Sequence, residues 1–142
     1  MNKVSSILSR KKVAFIGLQE SATVLDALKL MLEKNIGSVI VMSGDTYLGI
    51  VTERDYSRKV VLAGKHSDQT TVAEIMSEFP KISPDDTIER CMELMSDKNI
   101  RYLPVFENEK LVGLISISDV VAETIRQQKT TISHLEDYIK GS

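Results

Sequence analysis

The chain states one pattern twice, at a constant offset of 64 residues. Thr23, Leu30, Met31, Lys34, Asn35, Ile36, Val41, Gly49 and Asp55 recur as Thr87, Leu94, Met95, Lys98, Asn99, Ile100, Val105, Gly113 and Asp119, with no gap between first and last. Such a repeat constrains the fold strongly, because each copy is a supersecondary unit that buries its apolar face against a neighbour. The two copies, residues 1–66 and 67–128, leave only a tail of 129–142, so function is expected between the copies.

Within the first copy, Val24, Leu28, Met31 and Leu32 share one helical face behind Thr23, a good N-cap, and the helix is expected to end near Asn35. Ser38 to Met42 and Tyr47 to Val51 are short apolar runs separated by Ser43-Gly44-Asp45, the pattern of a hairpin. A second helix is expected from Thr52 to about Ala63, stopped by Gly64. The second copy repeats this order. Thr87 caps a helix with Ile88, Cys91, Met92 and Met95 on its face; Tyr102 to Phe106 and Leu111 to Ile117 form the hairpin; Ser118 to about Gln127 is the closing helix.

Short strands are expected before each first helix, at Val13 to Ile16 and at Lys81 to Ser83. Ahead of these lie related pentads, Val4 to Leu8 and Val72 to Met76, offset by 68, so the first copy carries four extra residues around Lys11 to Gly17. Lys65 to Thr71 is polar and reads as the connection. Ile132, Leu135, Tyr138 and Ile139 form an apolar stripe on a C-terminal helix with no counterpart in the first copy.

Bulk properties narrow the function. A hydrophobic content of 42% over 142 residues is enough to close a core. The net charge of −2 offers no clustered basic surface, so nucleic acid is not expected as a partner. No apolar run reaches the roughly 18 residues of a membrane span, and Met1 to Lys12 lacks the core of a signal peptide, so the expected location is the cytoplasm with no membrane partner. Cys91 is the single cysteine and lies on an apolar helix face, where it acts as a small buried hydrophobe. His66 and His134 fall in the connection and the tail, so no nucleophile and base converge and no metal set forms; neither enzyme activity nor a required cofactor is expected.

The tandem β-α-β-β-α order, the strand Leu103-Pro104-Val105 and the paired Gly-x-x-(Thr/Ser)-x-x-Asp motifs, Gly49 to Asp55 and Gly113 to Asp119, closely resemble a tandem cystathionine-β-synthase (CBS) domain pair over about Val4 to Arg126. The resemblance implies an α/β (α+β) fold of two small three-stranded sheets packed about a pseudo-twofold axis, here with an added C-terminal helix. It also implies two clefts that bind adenosine nucleotides: AMP, ADP, ATP, NAD or S-adenosylmethionine.

In each motif a hydroxyl, Thr52 or Ser116, stands where strand turns into helix, and a carboxylate, Asp55 or Asp119, follows three residues later. One use of this spacing is an N-cap with an acidic first turn, which stabilises a helix by roughly 0.5–2 kcal/mol. The other is ligand binding: helix amides and the dipole meet phosphate while the carboxylate accepts ribose hydroxyls. Arg54, Arg58 and Lys59 place positive charge on the first helix, where the second copy has Ser118, Ala122 and Glu123, so only the first copy is expected to offer cations there. Arg54 and Arg58 share a face at helical spacing and could meet a phosphate together; against this, Asp55 and Lys59 are also spaced for a surface ion pair.

The resemblance places the adenine edge against the backbone of Ile36, Gly37, Ser38 and Val39 and of Ile100, Arg101, Tyr102, Leu103 and Pro104, with Lys81 and Ser118 also among the binding residues; Arg101, opposite Gly37 in the repeat, gives only the second copy a guanidinium here, to reach phosphate or to cover the surface. These stretches are at the same time core strands, and Pro104 suits an edge or interrupted ladder because it lacks a donor. The expected function is a regulatory module that binds an adenosine nucleotide, AMP ahead of ADP, ATP or NAD, and acts through a homodimer on a protein partner in trans. The alternative is a ligand-free oligomerisation module built on the hairpins and the C-terminal stripe.

Overall fold

The computed structural model describes residues 2–140. Its elements are α1 (Val4–Arg10), β1 (Gly17–Gln19), α2 (Val24–Lys34), β2 (Ser38–Ser43), β3 (Thr46–Thr52), α3 (Glu53–Tyr56), a π-helical segment (Ser57–Val61), α4 (Val72–Ile75), α5 (Ile88–Lys98), β4 (Tyr102–Glu107), β5 (Lys110–Ser116) and α6 (Ile117–Lys140).

The chain forms two compact units that cut across the sequence copies. One joins the N-terminal segment through Lys12 to Pro80–Glu107 and the chain from Val112 on; the other joins Val13–Phe79 to Asn108–Leu111. Each copy's leading pentad therefore sits in the unit of the other copy. The swap is made by backbone pairing: Val4 N–H donates to Asp86 O and Ile88 N–H to Asn2 O in the first unit. In the second, Val24 N–H donates to Thr70 O, Val72 N–H to Ala22 O, and Ile50 and Ser77 form an antiparallel bridge.

The same local rules shape both first helices. Thr23 closes a capping box with Asp26, and Thr87 Oγ1 accepts from Arg90 N–H at 3.1 Å. Each helix ends on an asparagine in the left-handed region, Asn35 at φ 54° and Asn99 at φ 52°. The following amides close Schellman motifs, Ile36 N–H to Met31 O and Ile100 N–H to Met95 O, both at 3.0 Å. The repeated Lys-Asn-Ile is thus a helix stop. Its isoleucine joins the core that the helix packs on.

In the second unit the sheet order is β1-β2-β3, with β1 parallel and β3 antiparallel to β2. Its core is Val24, Ala27, Met31, Val39, Val41, Val51, Val60, Val72 and Ile75. Gly49 has a packing reason: a Cβ there would lie 3.0 Å from Met76 Sδ and 3.1 Å from Ser77 O, the segment that crosses β3. The expected strand at Val13 to Ile16 is instead Gly17–Gln19, and Val13 is exposed. Ladder position is fixed by β2, where Gly17 to Gln19 face Ile40 to Met42, and not by the apolar content of residues 13–16.

In the first unit β4 and β5 form a two-stranded sheet, and the expected third strand at Lys81 to Ser83 is a single parallel bridge between Ile82 and Val105. Pro80 and Pro84 flank that bridge and lack the donors needed to lengthen it. The core is Val4, Ile7, Ile82, Ile88, Cys91, Met95, Leu103, Val105, Ile115 and Val120. The closing helix and the C-terminal helix, expected as separate elements, are one 24-residue helix, α6. No glycine or proline interrupts Ile117 to Lys140, so nothing ends the helix near Gln127.

Candidate functional site

The two Gly-x-x-(Thr/Ser)-x-x-Asp motifs reach the same backbone geometry with different electrostatics. In both, the first helical amide is taken by the carbonyl of the residue just before a strand, Glu53 N–H to Gly37 O at 3.2 Å and Ile117 N–H to Arg101 O at 2.8 Å. In both, hydroxyl and carboxylate cap reciprocally. Asp55 N–H donates to Thr52 Oγ1 at 3.1 Å and Thr52 N–H to Asp55 Oδ2 at 2.9 Å. Asp119 N–H donates to Ser116 Oγ at 3.2 Å and Ser116 N–H to Asp119 Oδ2 at 2.8 Å.

Asp55 is buried and consumed by the fold. Its Oδ2 also accepts the Thr52 hydroxyl at 3.0 Å, while Oδ1 accepts Ser77 Oγ at 2.6 Å and pairs with Lys59 Nζ at 3.0 Å. Lys59 is bound in turn to Ile75 O and Ser77 Oγ, each at 2.9 Å. This network pins the Ile75–Ser77 backbone to α3 and uses both carboxylate oxygens. The helical pair that the structure forms is therefore Asp55–Lys59. Arg54 is half-buried on α3, and Arg58 is exposed on the π-helical segment.

Asp119 differs. Its side chain is 26% exposed, and its cation is Lys11, whose Nζ lies 2.8 Å from Oδ2. Both of its described hydrogen bonds fall on Oδ2, and none falls on Oδ1. One helical step on, Glu123 occupies the position that Lys59 holds in the first copy; its side chain is 3% exposed and accepts Arg10 Nε at 3.0 Å and Asn2 Nδ2 at 3.3 Å. Arg126 Nε approaches the same carboxylate at 3.6 Å. The second-copy helix has no cation at the positions of Arg54, Arg58 and Lys59; instead α1 and the residue after it bring Arg10 and Lys11 to α6. Lys11 is 108 residues from Asp119, beyond the reach of helical spacing arguments.

The remaining candidates divide between the units. Ile36 and Gly37 are half-buried, and Ser38, Val39 and Thr52 are buried in the second unit. In the first, Leu103 and Pro104 are buried, Tyr102 and Ser116 half-buried, and Arg101 and Ser118 exposed. Pro104 O accepts Ile82 N–H at 3.1 Å, and β4 runs unbroken through Pro104. Lys81 Nζ sits 4.5 Å from the Phe106 ring centroid in a cation–π contact.

Equivalent grooves flank the two turns. One of about 460 Å³ is lined by Leu28, Met31, Asn35, Ile36, Glu53 and Tyr56; its counterpart of about 400 Å³ is lined by Met92, Met95, Asn99, Ile100, Arg101 and Val120. Neither is lined by Asp55 or Asp119. Cys91 is fully buried, and desolvation, with the Asp86 carboxylate behind it, pushes its thiol up to about 11.

The CBS-domain family model matches residues 4–62 and 72–126. A solved structure of a protein with CBS domains from Burkholderia ambifaria MC40-6 is 43% identical, covers 89% of this chain and 96% of its own, and superimposes with a TM-score of 0.85. A hexameric CBS-CP12 protein from bloom-forming cyanobacteria is 34% identical, covers 85% and 70%, and gives a TM-score of 0.72. Among curated relatives, the mitochondrial CBS domain-containing protein CBSX3 of Arabidopsis thaliana is 37% identical over 84% of this chain. This chain spans 61% of CBSX3 and 48% of protein MK0525 of Methanopyrus kandleri, which is 40% identical over 95 residues. With both halves of the repeat matched, the chain belongs to the CBS-domain family, as a tandem pair of repeats of the kind that serves as a regulatory, ligand-binding module.

Proposed function

We propose that the protein is a non-catalytic regulatory module that binds an adenosine nucleotide at the Ser116–Asp119 turn and passes the binding event, through an oligomer, to a protein partner in trans. The observation that carries this reading is the partly exposed Asp119 carboxylate with Lys11 at 2.8 Å. A carboxylate oxygen without a described partner suits a ribose hydroxyl, the Lys11 ammonium suits a phosphate, and the N-terminus of the long helix α6 adds its dipole. The neighbouring segment, Ile100 to Pro104, supplies backbone and apolar groups for the base. A single ammonium matches a single phosphate, so AMP is expected to bind ahead of ADP, ATP or NAD.

Regulation then follows from reciprocity: a partner that prefers the liganded conformation tightens the ligand by the factor by which the ligand tightens the partner. A buried reduced thiol at Cys91 suits a reducing compartment such as the cytoplasm. Calorimetric titration with AMP, ADP, ATP, NAD and S-adenosylmethionine tests the reading. Micromolar binding that Asp119→Ala abolishes is the expected result, and unchanged affinity in that variant removes the ribose role.

A second reading, an assembly module with no ligand, is favoured by the unpacked apolar residues of α6 and by the hexameric state of the related CBS-CP12 protein. It predicts silence across the whole titration panel.

A further inference from the structure

From Ile125 to Lys140 every residue of α6 is exposed, a helical stretch of about 24 Å at 1.5 Å per residue. A helix of this length is marginal in water without a packed face. Its apolar residues are not scattered. Val121, Ile125, Ile132, Leu135 and Ile139 are between 46% and 72% exposed. With Gln128 they recur at alternating intervals of four and three residues, the spacing of a coiled-coil seam.

We propose that this seam pairs with α6 of a second copy of the chain in a parallel, in-register, two-stranded coiled coil. In heptad terms Ile125, Ile132 and Ile139 take the a positions and Val121, Gln128 and Leu135 the d positions. Isoleucine at every a position, with leucine at the d position of Leu135, favours two parallel strands. Gln128 sets the register, because in-register pairing opposes it to the partner's own Gln128 and the two amides can bond each other. Any slipped or antiparallel arrangement buries the amide against an aliphatic layer, which costs stability.

The flanks agree with this choice. Thr124, Thr131 and Tyr138 at the g positions carry no charge, so Lys129 and Glu136 at the e positions meet no like charge across the interface. Gln128 and Ile132 also line a groove of about 420 Å³ whose opposite wall includes Ile88, Glu89 and Met92, and a partner helix on the seam would cover Met92, which is 41% exposed.

Sedimentation equilibrium of the full chain, with Ile132→Asp and Gln128→Cys variants, tests the proposal. The expected results are a dimer-based assembly for the natural sequence, at least a 100-fold weaker association for Ile132→Asp with a partial loss of helical circular dichroism as the unpaired end of α6 frays, and rapid disulfide-linked dimer for Gln128→Cys under mild oxidation. Asp137→Cys, on the opposite face of α6, serves as the control that cross-links slowly. A monomeric natural chain, or an oligomer unaffected by Ile132→Asp, overturns the seam. An oligomer in which Gln128→Cys cross-links no faster than Asp137→Cys overturns the parallel register.

Discussion

Replacing Lys11 with glutamine separates the structural role of the Asp119 turn from the binding role proposed for it. The side chains of Lys11 and Asp119 are each 26% exposed and 2.8 Å apart, between the exposed pairs worth 0.2–1 kcal/mol and the buried pairs whose breakage costs 3–5 kcal/mol. Asp119 keeps its bond from Ser116 N–H, so the loss in the unliganded protein is about 1 kcal/mol. An unfolding entropy of about 2.1 cal/mol/K per residue over 142 residues converts this into a fall of about 3 °C in Tm.

The effect on ligand is larger and selective. A charge-assisted bond to phosphate is worth about 1.5–3 kcal/mol, so AMP affinity should drop about 10- to 150-fold in Lys11→Gln. Adenosine, which has no phosphate, should bind the variant as well as or better than the natural protein, because Asp119 no longer shares its carboxylate with an ammonium. Paired calorimetric titrations with AMP and adenosine read this directly. An equal loss for both ligands would mean that Lys11 only holds the turn in shape, and unchanged AMP affinity would refute the phosphate role.

Other consequences follow from single residues. Asp55→Asn should cost about 2–3 kcal/mol in urea unfolding, more than Asp119→Asn, because it strands Lys59 among Ile75 O and Ser77 Oγ without a counter-charge. Glu109→Gly should raise stability by about 1 kcal/mol, seen as a higher Tm, since Asn108 and Glu109 stand at φ 52° and 65° in the β4–β5 turn and glycine occupies that region without a Cβ penalty. Gly49→Ala should destabilise by about 1–3 kcal/mol, because the added methyl meets the Ser77 carbonyl as well as the movable Met76 side chain. Burial holds the Cys91 thiol at about 11 against an ordinary 9.0, so its contribution is fully present below pH 9 and is lost between about pH 9 and 11 as the unfolded chain releases the proton first. Stability of Cys91→Val across that window should fall less steeply with pH than that of the natural chain.

What the sequence made legible was whatever short-range chemistry decides. The caps at Thr23 and Thr87, the αL stops at Asn35 and Asn99 and the hairpins all depend on residues within five positions of one another, and the repeat displays them twice. Partners decided the rest. Gly17–Gln19 is a strand because β2 offers a parallel edge to it; the pentads change units because Asp86 and Ala22 offer carbonyls to them. The continuous α6 was hidden by the repeat itself, since the first copy breaks into a π-helical segment and ends at Gly64, at φ 71°, whereas the second meets no breaker.

The asymmetry of the candidate site has a simple electrostatic origin. The first copy places Asp55 and Lys59 four residues apart, so its helix neutralises the motif carboxylate from within. In the second copy the same spacing gives Asp119 and Glu123, two carboxylates on one helix face, which repel unless cations arrive from elsewhere. Arg10 and Lys11 are those cations, and they come on a segment that reaches α6 from the far end of the sequence. An internal lysine leaves Asp55 with both oxygens engaged; with an external one, the described hydrogen bonds of the Asp119 carboxylate all fall on Oδ2. Two nearly identical motifs are therefore expected to differ in kind, one fixing the fold and the other open to ligand, with the N-terminal segment as the first part of the protein to register binding.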